Sequence, residues 1–177
     1  MIGYLAVELH EPLGYVGGAL VVDEFGLPLE FRHTLPVRPT KLQRALYGDA
    51  LDRYLRTVVV ARRLLESLEY APAVVLVADP VLVLDAEPPV AHLTLPGVEP
   101  IGAPGAVEAF SGATDGFLLQ LRAGEAPVRL VTAAQPHTFG EMAGALARAA
   151  ETMDLQEPLG RVATGLRLIA AGEVAAA

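Results

Sequence analysis

AVVLVADPVLVLDAE, residues 73–87, decides the fold. Its first half is a continuous apolar run of strand length, the pattern of a strand covered on both faces at the centre of a sheet. Three earlier segments also read as strands: GYLAVEL (3–9), ALVVDE (19–24) and LEFRHTL (29–35). In the last, Leu29, Phe31 and His33 alternate with Glu30, Arg32 and Thr34, the two-residue period of a strand with unlike faces. Gly26 supplies the positive φ of the intervening turn and Pro28 restarts the extended chain. The three strands are expected to be antiparallel.

Between them and the central strand lies a helical stretch. Thr40 is the expected N-cap. Gly48 is expected to end a first short helix and Asp49 to cap a second. On the second, Leu51, Tyr54, Leu55, Val58, Ala61, Leu65 and Leu68 form one apolar stripe. That phase leaves Arg53, Arg56 and Arg63 on the exposed side and puts Arg62 near the stripe, with Glu66 in pairing position. Pro72 ends the element.

Beyond the central strand, residues 86–116 are rich in Pro and Gly, with a short strand expected at AHLTL (91–95). Residues 116–135 read as a hairpin. Thr138 and Glu141 have capping-box spacing and open a helix to about Met153; Pro158 suits the first turn of a last helix to about Ala170. The expected fold is α/β or α+β, with a mixed, largely antiparallel sheet (β-β-β-α-β, then β-hairpin-α-α) and helices packed on it. The chain reads as a single domain over 1–177. The other arrangement is two hairpin-plus-helix lobes, 1–85 and 110–177, joined by the loop 86–109. A matching Gly spacing, 18 to 26 and 116 to 124, suggests it.

A hydrophobic fraction of 53% implies an extensive core or a subunit interface. No apolar run approaches the roughly 20 residues of a membrane span, and the N-terminus lacks a basic signal region, so no membrane association and a cytoplasmic location are expected. The absence of Cys excludes disulfides, thiolate metal sites and cysteine nucleophiles. Absent Asn and Cys with 14 Pro give a thermophile-like composition, and a GC-rich genome would favour the same Ala, Gly, Pro and Arg bias.

The net charge of −8 is unevenly spread. Residues 32–63 hold eight basic side chains and two acids, about +6, leaving about −14 elsewhere. Arg32, Arg38, Lys41, Arg44, Arg53, Arg56 and Arg63 are therefore the candidate anion- or partner-binding surface. The overall acidity disfavours nucleic acid as a partner, as does the lack of exposed aromatics interleaved with the cations.

GLPLEFRHTLPVRPTKLQRALYGDALDRYL (26–55), with its PLEF and LYG elements, and DLQEPLGRVATGL (154–166) resemble an uncharacterised bacterial protein family. That resemblance implies no activity, substrate or site residue.

The strand order up to residue 84 also resembles a ribonuclease-H-like nuclease core, which opens with three antiparallel strands, a helix, and a strand beside the first. Such a nuclease places carboxylates on the first and fourth strands to hold two cations about 4 Å apart. Glu8 and Asp79 take those places, Asp23 or Asp85 is the candidate third ligand, and arginines would hold phosphates. The competing reading makes Glu8, Asp23 and Asp79 strand-end acids that cap turns; Asp79 before Pro80 is a common turn pair. The four histidines lack the spacing of a helical zinc site, and no nucleophile elbow or phosphate loop is present. The leading expectation is a non-catalytic binding or assembly component, not an enzyme, acting through a protein partner or as a homo-oligomer. The alternatives are a divergent ribonuclease-H-like metal-dependent nuclease using Glu8 and Asp79, and a small-ligand sensor with its pocket under the 86–116 loop. No cofactor is expected, with Mg or Mn only for the nuclease.

Overall fold

The computed structural model describes residues 1–110 and 116–173. Its centre is an eight-stranded sheet built from β1 (Ile2–His10), β2 (Gly14–Val22), β3 (Pro28–His33), β4 (Val75–Val77), β5 (Val90–Thr94), β6 (Val107–Phe110), β7 (Gly116–Leu119) and β8 (Val128–Thr132). The strand order is β3-β2-β1-β4-β5-β8-β7-β6. The β1–β4 and β4–β5 pairs are parallel, and the other adjacent pairs are antiparallel. The mixed, largely antiparallel sheet with packed helices is the expected architecture, and β4 does lie beside β1. The strand β6, however, falls inside the segment read as a loop. No helix among the described residues is long and apolar enough to cross a membrane.

Residues 73–87 carry less strand than their apolarity suggests. The ladder ends at Val77 because Asp79 and Pro80 start a 3-10 turn, Pro80–Leu82. Asp79 Oδ1 accepts the Val81 N–H at 3.0 Å. Residues 78–89 then make the crossover to parallel β5, about the dozen residues such a connection needs.

Each face of the sheet has its own apolar core. Leu5, Val7, Ala19, Val75, Val77 and Val90 pack under the helical stretch after β3. Tyr4, Leu20, Leu76, Phe117 and Leu130 pack under α4 (Phe139–Ala150) and α5 (Glu157–Ala171). The helical stretch comprises α1 (Lys41–Tyr47), a 3-10 turn (Gly48–Ala50), α2 (Leu51–Tyr54), a π-helical stretch (Leu55–Ala61) and α3 (Arg62–Glu66). Thr40 caps α1 as expected, in a reciprocal box with Gln43 (3.1 and 2.8 Å). Asp49 caps nothing, because the 3-10 turn runs directly into α2. Thr138 does not close its expected box either: its hydroxyl donates to Gln135 O at 2.8 Å.

The π-helical stretch changes the expected stripe. Its wide turns bring Val60 and Leu64 to the sheet, 0% and 3% exposed, and leave Val58 44% exposed. Gly17 of β2 lets this helix approach, since a Cβ there would stand 2.3 Å from Val60 Cγ1. The helix stops at Glu66, short of Pro72, with the Ser67 hydroxyl on Leu64 O at 2.8 Å.

Candidate active-site cleft

The parallel pairing of β1 and β4 brings their C-terminal ends together, Leu5 opposite Val77. An open cleft of about 450 Å³ lies there, lined by Glu8, Arg56 and Asp79 among the apolar Val7, Leu9 and Leu82. Glu8 continues the face of β1 that carries Tyr4 and Ala6. Asp79, past the end of β4, turns to the helix on the other face. The cleft therefore straddles the sheet edge, with one carboxylate from each side.

Arg56 organises this end of the molecule. Its Nε donates to Asp52 Oδ1 at 3.1 Å. Its Nη1 donates to Asp79 Oδ2 at 3.3 Å and to the Val7 carbonyl at 3.2 Å. The guanidinium also stands 5.9 Å from the Tyr15 ring centroid, within cation–π range. Tyr15 donates its hydroxyl to Asp52 Oδ1 at 2.9 Å. Burial first, and then the Asp52 carboxylate, push the Tyr15 phenol above its ordinary pKa, against Arg56 and Arg44, so it stays a donor. On the other side of the cleft, His10 Nε2 meets Glu8 Oε2 at 2.9 Å.

The expected site residues fall into two groups. Glu8 and Asp79 share the cleft, with side chains 34% and 45% exposed. Asp23 lies at the far end of the sheet: it follows Val22, which pairs with Ile2, whereas Glu8 pairs with Val16. Its Oδ1 accepts the Phe25 and Leu27 N–H groups, both at 2.9 Å, and closes the β2–β3 turn. Asp85 offers its carbonyl to Arg62 at 3.3 Å and lies outside the cleft. Among the described residues no three metal-ligating side chains gather, so a third carboxylate ligand from Asp23 or Asp85 is corrected.

The basic segment is divided as well. Arg32 is tied to Glu30 at 2.6 Å and to Glu69. Arg38 donates to Leu13 O at 2.8 Å, in the loop after β1. Lys41, Arg44, Arg53 and Arg63 are exposed. Arg56, expected on the outer side of the helix, turns inward to the cleft, with 21% of its side chain exposed. Arg62, expected beside Glu66, reaches Asp85 instead. The missing aromatics are present after all: exposed Tyr47 stacks on Tyr54 with ring centroids 4.5 Å apart, in the middle of the cations. Asp52 and Tyr15 were not anticipated. The i, i+4 spacing of Asp52 and Arg56 was a visible signal for their pairing.

The small-ligand reading has a counterpart elsewhere. A cavity of about 390 Å³ opens beside Leu93 and Leu95, with Arg122 and Glu125 at its wall 3.7 Å from one another. Asp154 and Gln156 also line it.

The architecture is a mixed α/β fold, an eight-stranded sheet with helices on both faces. The crystal structure of endonuclease V from Streptomyces avermitilis matches 98% of this chain and 82% of its own, with a TM-score of 0.51 and 18% sequence identity. Human endonuclease V covers 98% and 85%, with a TM-score of 0.46 and 13% identity. No family model and no curated protein matches the sequence. The likeness to the Streptomyces enzyme shows the fold, and it overturns three expectations. The non-catalytic assembly component gives way to the nuclease alternative. The fold, not the sequence, supplies the pointer to an activity that the family resemblance did not. Nucleic acid is no longer the disfavoured partner, because net charge describes the whole chain while the cations and stacked tyrosines cluster locally.

Proposed function

We propose that the chain is a divergent ribonuclease-H-like nuclease, cutting nucleic acid at the cleft where β1 and β4 end, with Glu8 and Asp79 as its acidic pair. The observation that carries this reading is the pair itself: two accessible carboxylates on one cleft, at the ends of adjacent parallel strands, in a fold shared with an endonuclease.

Carboxylate oxygens suit Mg²⁺ or Mn²⁺, and Mg²⁺ is commonly held by one or two carboxylates, waters and a substrate phosphate. Glu8 and Asp79 would supply the protein's share for one such ion. They do not supply a prebuilt two-ion centre. A divalent ion bound there would neutralise charge developing on the phosphate. The chain's own residues do the rest. Glu8 and Asp79 present hard oxygen donors, and His10 sits against Glu8. Val7, Leu9 and Leu82 narrow the water-accessible space. Arg38, Lys41, Arg44, Arg53 and Arg63 hold backbone phosphates, and the Tyr47–Tyr54 stack offers a face to an unpaired base.

The test is a cleavage assay on labelled single- and double-stranded DNA and RNA, with Mg²⁺, Mn²⁺ or chelator. Divalent-dependent internal cuts that Glu8→Gln and Asp79→Asn abolish are expected. No cutting of any of these substrates by folded protein, with either metal, sinks the reading.

A further inference from the structure

A guanidinium stands on Asp79, the acid proposed above as a cation ligand. Arg56 Nη1 donates to Asp79 Oδ2 at 3.3 Å, while Asp79 Oδ1 is already taken by the Val81 N–H at 3.0 Å. Both oxygens of the carboxylate therefore have partners before any ion arrives. The two partners differ in kind. The Val81 N–H is fixed by the 3-10 turn after β4. Arg56 is a long side chain with other places to rest: Asp52 Oδ1, the Val7 carbonyl and the face of the Tyr15 ring. Losing Asp79 would leave it paired and stacked, so its release costs little. The Asp79 side chain is 45% exposed, so an ion approaches it from solvent.

We infer that Arg56 is a displaceable counter-ion of the cleft: it neutralises Asp79 in the free protein and competes with a divalent cation for Oδ2. An incoming phosphodiester offers the guanidinium an anion besides Asp52 and Asp79, in the bidentate geometry it favours. Phosphate and cation then help each other in, since a ligand that draws Arg56 away frees Asp79. Coupling of this kind is reciprocal. The inference rests on Asp79 as a cation ligand, and its test uses binding alone, so that failure of cleavage and failure of the competition are read separately.

Mn²⁺ binding to the free protein is measured by electron paramagnetic resonance in wild type, Arg56→Gln, Arg56→Lys and Asp79→Asn. Arg56→Gln is expected to tighten Mn²⁺ binding by roughly threefold to tenfold, the effect of losing one partly exposed ion pair. Arg56→Lys, which keeps the charge, is expected to stay within about twofold of wild type, since the Coulomb term is retained. Asp79→Asn is expected to abolish binding. Equal affinities in wild type and folded Arg56→Gln overturn the inference. So does a tightening in Arg56→Lys as large as that in Arg56→Gln, Mn²⁺ binding that survives Asp79→Asn, or no binding by any of the four proteins. Should Arg56→Gln fail to fold, the wild type alone decides: the Arg56 guanidinium ¹⁵N–¹H resonance must shift as diamagnetic Mg²⁺ is titrated in, and a resonance that stays in place overturns the competition.

Discussion

The two ends of the β1–β2 ladder treat their acids differently. At the end bearing Asp23, carboxylates are held by backbone. Asp23 accepts two N–H groups of its own turn. Glu30 of β3 accepts the Glu69 and Tyr70 N–H groups at 3.0 and 3.1 Å and an Arg32 guanidinium at 2.6 Å. At the other end, Glu8 meets a histidine, and Asp79 gives one oxygen to the Val81 N–H and the other to the Arg56 guanidinium. A carboxylate fixed by backbone N–H groups is part of the chain's shape. One paired by a long side chain is free to exchange that partner for a ligand. The difference is one of degree: Asp23 and Glu30 each accept two or more backbone N–H groups, Asp79 one, and Glu8 meets a side chain.

Four substitutions test that division. The largest effect is expected from Asp79→Asn, which should cut cleavage by at least about a hundredfold, as loss of a charge-stabilising group in an active site does. Its denaturation midpoint should shift little, and a large loss of stability with cleavage intact would merge the two ends. Glu30→Gln comes next. It should cost about 1–2 kcal/mol in urea unfolding, from a carboxylate with charge-assisted bonds, while cleavage stays unchanged.

Glu30 also predicts a pH effect. Burial pushes its carboxyl up, but the bond from Arg32 and the two N–H groups outweigh it and hold it below the usual range. The unfolded chain therefore takes up this proton first as the pH falls. Stability is complete above the unfolded value of about 4.3 and declines as acid reaches the folded one. Urea midpoints between pH 6 and 3 should fall less steeply in Glu30→Gln. Asp23→Ala follows, with an expected cost of about 1 kcal/mol, the size of a lost capping interaction, again with no change in cleavage. The smallest effect is expected at Tyr4, fully buried with a hydroxyl that finds no hydrogen-bond partner among the described residues. Burial holds this phenol above its ordinary range. Tyr4→Phe should be neutral or slightly stabilising at pH 7. Above about pH 10 the unfolded tyrosine ionises before the folded one, so the wild type should lose stability there faster than Tyr4→Phe, as alkaline denaturation series would record.

The order β-β-β-α-β was legible because each piece carries a local signal: the alternation at Leu29, Phe31 and His33, the Gly26–Pro28 turn, and the apolar run before Asp79. The strand β6 was not, because Pro and Gly surround Val107–Phe110 and its pairing partner β7 comes later in the chain. That Glu8 and Asp79 would come to one cleft was legible from strand order alone, since parallel neighbours bring their C-terminal ends together. Arg56 was misplaced because an ordinary helical period assigns it to the outer side. Nothing in LRTVVVA announces a π-helical turn, and the β-branched run that fills it packs only once Gly17 is beneath. Tyr15, 37 residues from Asp52, had no sequence signal that tied it to the cleft.

The π-helical stretch has a consequence for how the protein tolerates change. A π turn amounts to one extra residue threaded into an α-helix, and it rotates everything after it relative to everything before. Arg56 at its start answers to the cleft, and Val60 and Leu64 beyond it answer to the sheet. The helix thus has two angular settings in one rod, joined by a washer a single residue thick. Substitutions on the cleft side can be made without turning the half that is bolted to Gly17, whereas a one-residue deletion between them would force both halves onto one setting and break the fit of one.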